Sequence, residues 1–337
     1  MEPALRYPRN LREFQHRFRD EAACLAYLAD LRWPDGFRCP NCGSDAATAL
    51  TTRRTWQCRA CRKQTSLTAG TALHRTRLPL TVWFWAAYLV ASLKPGISAL
   101  QLGQQLGLRY ETAWMLLHKL RRMMVNPNRD KLAGMVEVDE TWIGGMQAGL
   151  KGGRQRAGRS ALMVAVAVER REKALGRLRL EVVPDDTGPT LTGFVVRNVE
   201  TGSTILSDAW PSYKQLPKLG FAHKPISQRA MKRAGLDGDA VPGVHRVISN
   251  LKTWLRGTHH GVGADHLDHY LNEFVFRFNR RFYPMSGFAT LLGLGTQQPP
   301  VTYAALRSSS AAGTPRPRGR STGRTLRRLT VEVIERD

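Results

Sequence analysis

The sequence predicts a multidomain α+β chain, with two small N-terminal modules ahead of a larger α/β domain. Three observations predict it. Two Cys-x2-Cys pairs stand near the N-terminus, a helix–glycine–helix stretch follows, and two hydrophobic strands further on end at Asp139 and Asp208. With 337 residues the chain has room for two or three domains with their own cores.

Composition narrows the function. Lysine and arginine outnumber aspartate and glutamate by 51 to 27, a net charge of +24, which is an electrostatic footprint for nucleic acid. A merely basic protein, or one held on ribosomes or acidic membranes, would share that charge, so the motifs must decide. Arginine dominates, which suits bidentate phosphate contacts. The N-terminus is polar and charged, unlike a secretory signal. The longest apolar run, residues 80–93, is short for a membrane span and reads as a buried helix. The expectation is a cytoplasmic, nucleoid-associated protein with no membrane partner. Of five cysteines, four form two close pairs and Cys24 is left over, and without an export signal that is a metal pattern rather than a disulfide framework.

Residues 1–76 take the first module. Residues 1–30 fit two short amphipathic helices, with Cys24 packed on an apolar face. Cys39, Cys42, Cys58 and Cys61 then follow as C-x2-C-x15-C-x2-C, two knuckles that together close a tetrahedral zinc shell. Four thiolates leave no open position, so the zinc is structural and the ribbon braces or binds. Residues 51–57 suit a hairpin arm, and Arg53 and Arg54 on it offer nucleic-acid contacts.

Residues 77–130 read as helical. A buried helix ends at Lys94-Pro95-Gly96, and residues 97–106 form a short helix. Gly107 turns the chain, and a basic helix runs from 111 to 124. That is a helix-turn-helix, with Arg109, Tyr110 and Thr112 near the start of the second helix and Lys119, Arg121 and Arg122 along it as DNA contacts. The plainer reading is an ordinary helical hairpin.

Residues 131–290 carry the α/β domain. In the strand at 135–140, Val136 and Val138 alternate with Glu137 and Asp139, so the two carboxylates share a face. Alone, acids at a strand end are turn formers. The second strand, 203–208, repeats the ending at Asp208, and two such strands suit a split carboxylate site for divalent metals. Strands at 161–168 and 176–183 and a helix at 190–199 lie between, with Asp185 and Asp186 as helix caps. Three strands, a helix and a fourth strand give the order of an RNase H-like domain, with Asp139 and Asp208 side by side. Residues 211–243 read as a connection, and helices follow at 243–254 and 264–282. The chain from 291 to 337 reads as a basic disordered tail, seven arginines and no acids falling within 307–328.

Together these segments resemble the transposases of prokaryotic insertion sequences that join a zinc ribbon and helix-turn-helix to an RNase H-like catalytic domain. The ribbon cysteines carry the resemblance, with Val136-Glu137-Val138-Asp139-Glu140-Thr141, Leu206-Ser207-Asp208-Ala209, His245-Arg246-Val247-Ile248-Ser249-Asn250-Leu251-Lys252, and the run from Tyr270 to Arg281. It implies a third catalytic acid seven residues before a lysine on one helix face. Lys252 is that lysine, and the residue seven before it is His245 rather than glutamate. The chain thus looks like a variant whose catalytic set is Asp139, Asp208, His245 and Lys252, binding magnesium or manganese. Glu273 and Asn250 remain alternatives for the third ligand. The resemblance implies cleavage at terminal inverted repeats, strand transfer into double-stranded target DNA, and a homo-oligomer assembled on DNA. A DNA-binding regulator or inactive relic, and a nuclease that cuts without joining, are the competing readings.

Overall fold

The computed structural model describes residues 7–50, 53–144, 161–235 and 237–308. Most of the glycine- and arginine-rich stretch at 144–159, expected to be mobile without DNA, and the chain beyond 308 lie outside them. The described residues form two compact units, one within Met1–Pro127 and Arg280–Ser308, the other within Asn128–Asn279.

In the first unit, α1 (Leu11–Arg17) and α2 (Glu21–Arg32) begin on Asn10 and Asp20. Their side chains accept the Glu13 and Ala23 amides at 2.9 and 2.8 Å, satisfying donors that a helix start leaves open. The ribbon is an antiparallel sheet of β1 (Ala47–Leu50), β2 (Thr55–Cys58) and β3 (Gln64–Ser66). Arg32 anchors it, donating to the carbonyls of Ser66 at 2.8 Å and Ala69 at 2.9 Å. Next come α3 (Leu80–Ser92), whose residues are mostly buried, α4 (Ala99–Leu106) and α5 (Tyr110–Met123). Gly107, at φ 64°, makes the left-handed turn between the last two. A Cβ on Gly103 would stand 2.8 Å from the Leu108 carbonyl, so the pair packs closer than alanine allows.

The second unit is a five-stranded sheet of β4 (Met135–Ile143), β5 (Leu162–Arg170), β6 (Leu175–Val183), β7 (Thr204–Ser207) and β8 (Ala222–Pro225), in the order β6-β5-β4-β7-β8. β5 runs antiparallel to both neighbours, while β4, β7 and β8 are parallel. This is the expected RNase H-like order, extended by β8 and by α7 (Gln228–Arg233) inside what reads as a bare connection. α6 (Gly188–Asn198) covers one face through Leu191, Phe194 and Val195, packed against Val136, Val138 and Ala165. Its N-cap is Thr187; Asp185 instead accepts the Thr187 amide at 3.1 Å and is not the cap. α8 (Pro242–His259) and α9 (Leu267–Asn279) cover the other face, packing Val247, Leu251 and Phe274 against Val164, Val166 and Leu178. Both faces of β5 are covered, which is why its sequence is an unbroken apolar run rather than an alternation.

The chain then returns to the first unit as α10 (Ser286–Gln297) and α11 (Tyr303–Ser308). The tail boundary at 291 therefore falls inside a helix. Phe288, Leu291 and Leu292 are fully buried, and the Phe288 ring lies 5.3 Å from Phe18 and 5.7 Å from Phe14 and Phe84. These residues recur at helical spacing, and the burial they gain outweighs the small, polar composition around them.

Candidate functional site

Among the described residues, the four ribbon cysteines and the groups around Asp139 carry the donor chemistry of ligand sites. In the ribbon, the sulfurs of Cys39, Cys42, Cys58 and Cys61 all lie within 4.8 Å of one another, with 3.5 Å between Cys39 and Cys61 and 3.6 Å between Cys42 and Cys58. A tetrahedron with Zn–S bonds of about 2.3 Å needs sulfurs about 3.8 Å apart, so the donor set fits a structural zinc. The Lys63 amide and the Asn41 side chain hold the Cys61 thiol down to about 6, toward the thiolate that a metal requires.

The expected DNA contacts divide. Arg53, Arg109, Arg122 and Tyr110 are exposed, and Thr112 is half-buried. Arg54 pairs with Glu21 at 2.6 Å, and Glu21 also accepts the Leu80 amide at 3.0 Å, so Arg54 helps to brace the start of α3. Lys119 and Arg121 are only 7% and 1% exposed and do not offer their head groups to a surface ligand. Residues 116–121 of α5 are buried in an unbroken row, and Lys119 lies 5.9 Å over the Trp83 ring, where burial lowers its pKa. A helical pattern shows which face is apolar, but not that a polar face is covered too.

The acidic site forms midway along β4 and just past the end of β7; β4 does not end at its acids, as the sequence suggested, but runs on to Ile143. The parallel register pairs Glu137 with Leu206, so Asp139 within β4 and Asp208 just after β7 each stand two residues past that pair. Asp139 is 1% exposed. Its Oδ2 lies 3.0 Å from His245 Nε2, on the first turn of α8. Asp208 accepts the Trp210 amide at 3.1 Å across Ala209, whose φ of 67° is left-handed without being glycine. Strained backbone of this kind gathers at functional sites. Lys252 follows two turns beyond His245 on the same helix, half-buried. Glu273 is fully buried on α9, 3.6 Å from Arg277, and Asn250 is exposed on α8.

Three features have no counterpart in the sequence reading. Asp239 Oδ2 lies 2.5 Å from His245 Nδ1, so both ring nitrogens face carboxylates. Hydrogen bonding to Asp139, opposed by burial and reinforced by Asp239, raises the His245 pKa above its usual value. Glu137 Oε2 accepts the Val244 amide at 3.0 Å and so caps the helix that carries His245. A Cβ on Gly243 would stand 2.8 Å from that oxygen. Tyr213 donates to Glu140 at 3.0 Å; burial, then the charges of Glu140, Asp139 and Asp208, push its phenol well up, so it stays a donor. The sequence reading left residues 211–243 as a connection, and nothing local in it marked Asp239 or Tyr213.

Two carboxylates and an imidazole suit divalent cations, oxygen being the donor magnesium prefers and nitrogen one that manganese accepts. Among the described residues these three are not gathered within 4.8 Å of one another as the cysteines are. No helix of the described residues is long and apolar enough to cross a membrane.

Comparison with known proteins places these sites in context. Residues 131–279 match the family described as ISXO2-like transposase domain, and residues 19–64 the one described as transposase zinc-ribbon domain. A Halobacterium salinarum protein described as an uncharacterized protein in transposable element ISH50 is 28% identical over 277 residues, 77% of this chain and 91% of its own length. The pre-cleavage Mos1 transpososome is similar at 12% identity and a TM-score of 0.19, over 54% of this chain and 74% of its own. The Mos1 strand transfer complex matches at 11% and 0.19, over 61% and 78%. At those scores the structural likeness carries no argument.

Proposed function

The chain belongs to the insertion-sequence transposases with an N-terminal zinc ribbon, and on that premise we propose that it cuts the ends of its element and joins them to target DNA at one site built from Asp139, Asp208 and His245. The observation that most supports this reading is the parallel β4–β7 register: Asp139 within β4 and Asp208 just past β7 both lie two residues beyond the Glu137–Leu206 pair, and His245 is hydrogen-bonded to Asp139. Magnesium or manganese bound by these three would stabilise the attacking and leaving oxygens of phosphoryl transfer.

The chain's own residues do the rest. Asp139 and Asp208 orient the scissile phosphate's surroundings from a rigid sheet, which holds geometry better than a loop. Lys252 neutralises a neighbouring phosphate. Tyr213 keeps Glu140 engaged and away from the reacting groups. No side chain serves as nucleophile: water attacks first, and the freed 3′-hydroxyl attacks the target. Arg53 on the ribbon and Arg109, Tyr110, Thr112 and Arg122 on the helix-turn-helix grip double-stranded DNA at the terminal repeats. Pairing two ends calls for at least a dimer on DNA, acting at the nucleoid in the cytoplasm.

The test is a cleavage and strand-transfer assay on a labelled duplex carrying the element's own end, with magnesium or manganese. Nicked and joined products, lost in Asp139→Ala and His245→Ala, are expected. Cutting without joining would leave a nuclease, and tight binding without cutting would leave a DNA-binding regulator. Retention of activity in His245→Ala alone would move the third ligand elsewhere.

A further inference from the structure

We infer that Asp239 is a positioning residue, which fixes His245 in the ring orientation and tautomer that present Nε2 to a divalent cation shared with Asp139. The inference rests on the active-site reading above and adds a residue to it. A neutral imidazole has one N–H and one lone pair, and the partner of one nitrogen decides the role of the other. Asp239 Oδ2 stands 2.5 Å from Nδ1 and Asp139 Oδ2 stands 3.0 Å from Nε2, and an ionised carboxylate only accepts. With a cation between Nε2 and Asp139 in place of the Nε2 proton, Asp239 keeps the remaining proton on Nδ1 and so turns the Nε2 lone pair to the metal.

Asp239 is itself held in place. Its Oδ1 accepts the Val241 amide at 3.1 Å, just ahead of α8. Gln228 on α7 clamps the residues on either side, donating to the Gly238 carbonyl at 2.7 Å and accepting the Ala240 amide at 3.0 Å. The segment between β8 and α8 thus aims one carboxylate at the back of one histidine. A carboxylate behind a metal-binding imidazole fixes the ring and makes it a better donor, and removing such a partner costs roughly 10–100-fold in metal affinity. With nitrogen supplied this way, manganese suits the site better than magnesium does.

The experiment is manganese titration of the zinc-loaded full chain, followed by electron paramagnetic resonance, including nitrogen coupling to the bound ion. Wild type is expected to bind manganese in an Asp139-dependent manner with coupling to one imidazole nitrogen. Asp239→Ala should weaken that binding about 10–100-fold and remove the coupling, and Asp239→Glu should restore part of both. Gln228→Ala, which keeps Asp239 and His245, should shift affinity in the same direction by less, and serves if Asp239→Ala folds poorly. If manganese binding depends on Asp139 but neither affinity nor coupling changes in Asp239→Ala and Gln228→Ala, the inference is overturned and the active-site reading stands. Absence of nitrogen coupling in wild type overturns it equally. Absence of any Asp139-dependent manganese binding overturns both.

Discussion

In the ribbon, the four sulfur ligands come from two short knuckles of one small module and already lie within 4.8 Å of one another. Around Asp139 the groups come from β4, β7 and α8, and Asp139 and His245 are hydrogen-bonded to each other. The first site is local in sequence, and a small sheet with little core is shaped by its ligands. The second is long-range, and its geometry comes from a sheet covered on both faces. Loss of metal should therefore dismantle the ribbon's structure, whereas it should leave the second site's scaffold intact.

The largest effect expected is at the ribbon. A structural zinc contributes on the order of 10 kcal/mol to a small domain. Cys58→Ser, or a strong chelator, should release the zinc and strip amide-exchange protection from β1–β3, while β4–β6 keep theirs. Protection that survives zinc loss in β1–β3 would erase the contrast.

In the second unit, the scaffold should respond to protons rather than metal. Glu169 is pushed up by burial, but hydrogen bonds from the Arg177 side chain and amide and from the Ala133 amide win and hold it below the usual carboxylate range. A depressed folded-state pKa gives stability that is complete above the unfolded value of about 4.3 and is lost as pH falls through the lower folded value. Glu169→Gln should cost about 3 kcal/mol at neutral pH, from lost charge-assisted bonds. That gap should close in urea titrations run toward pH 3, and a gap independent of pH would contradict the assignment.

Smaller effects probe the seat of α8. A Cβ on Gly243 would meet Leu175 at 2.6 Å as well as Glu137, so Gly243→Ala should cost about 2 kcal/mol by overpacking. Gly257, on the same helix with nothing within 4 Å, is the control: Gly257→Ala should stabilise by about 0.5–1 kcal/mol. Equal responses in denaturant midpoints would mean that Glu137 does not set the helix start. Ala209→Gly carries the smallest expected change. Relief of a left-handed cost of about 1–2 kcal/mol, less about 0.5–1 for glycine's unfolded-state freedom, leaves a gain of about 0.5 kcal/mol. A loss on thermal melting would show the turn after Asp208 to be unstrained.

The same contrast explains what could be read from the amino-acid order. The cysteine spacing, the alternation in β4 and the glycine turn at Gly107 are local patterns, and the sheet order followed from the succession of strands and helix, although β4 runs past its acids to Ile143. Asp239, Tyr213 and the capping by Glu137 are contacts between residues far apart in the chain or in irregular segments, where no periodicity marks them. β8 has only four residues, mostly exposed, and takes its shape from pairing with β7. Lys119 and Arg121 were misplaced because basic residues on a helix predict a solvated face, and here that face is covered. Phe288 was assigned to the 131–290 domain, but with Leu291 and Leu292 it is buried in the first unit on α10, a helix in a run of small and polar residues that hides its spacing.

The central claim is that Asp139 and Asp208, on different strands, act as one site. A double-mutant cycle on end cleavage tests it most directly: wild type, Asp139→Ala, Asp208→Ala and the pair, each checked for zinc content and folded signal. Each single change should abolish cleavage by about a thousandfold or more, and the double variant should be no worse than either alone, because residues that act as a unit are not additive. Losses that multiply in the double variant, or full cleavage by either single variant, would contradict a shared site.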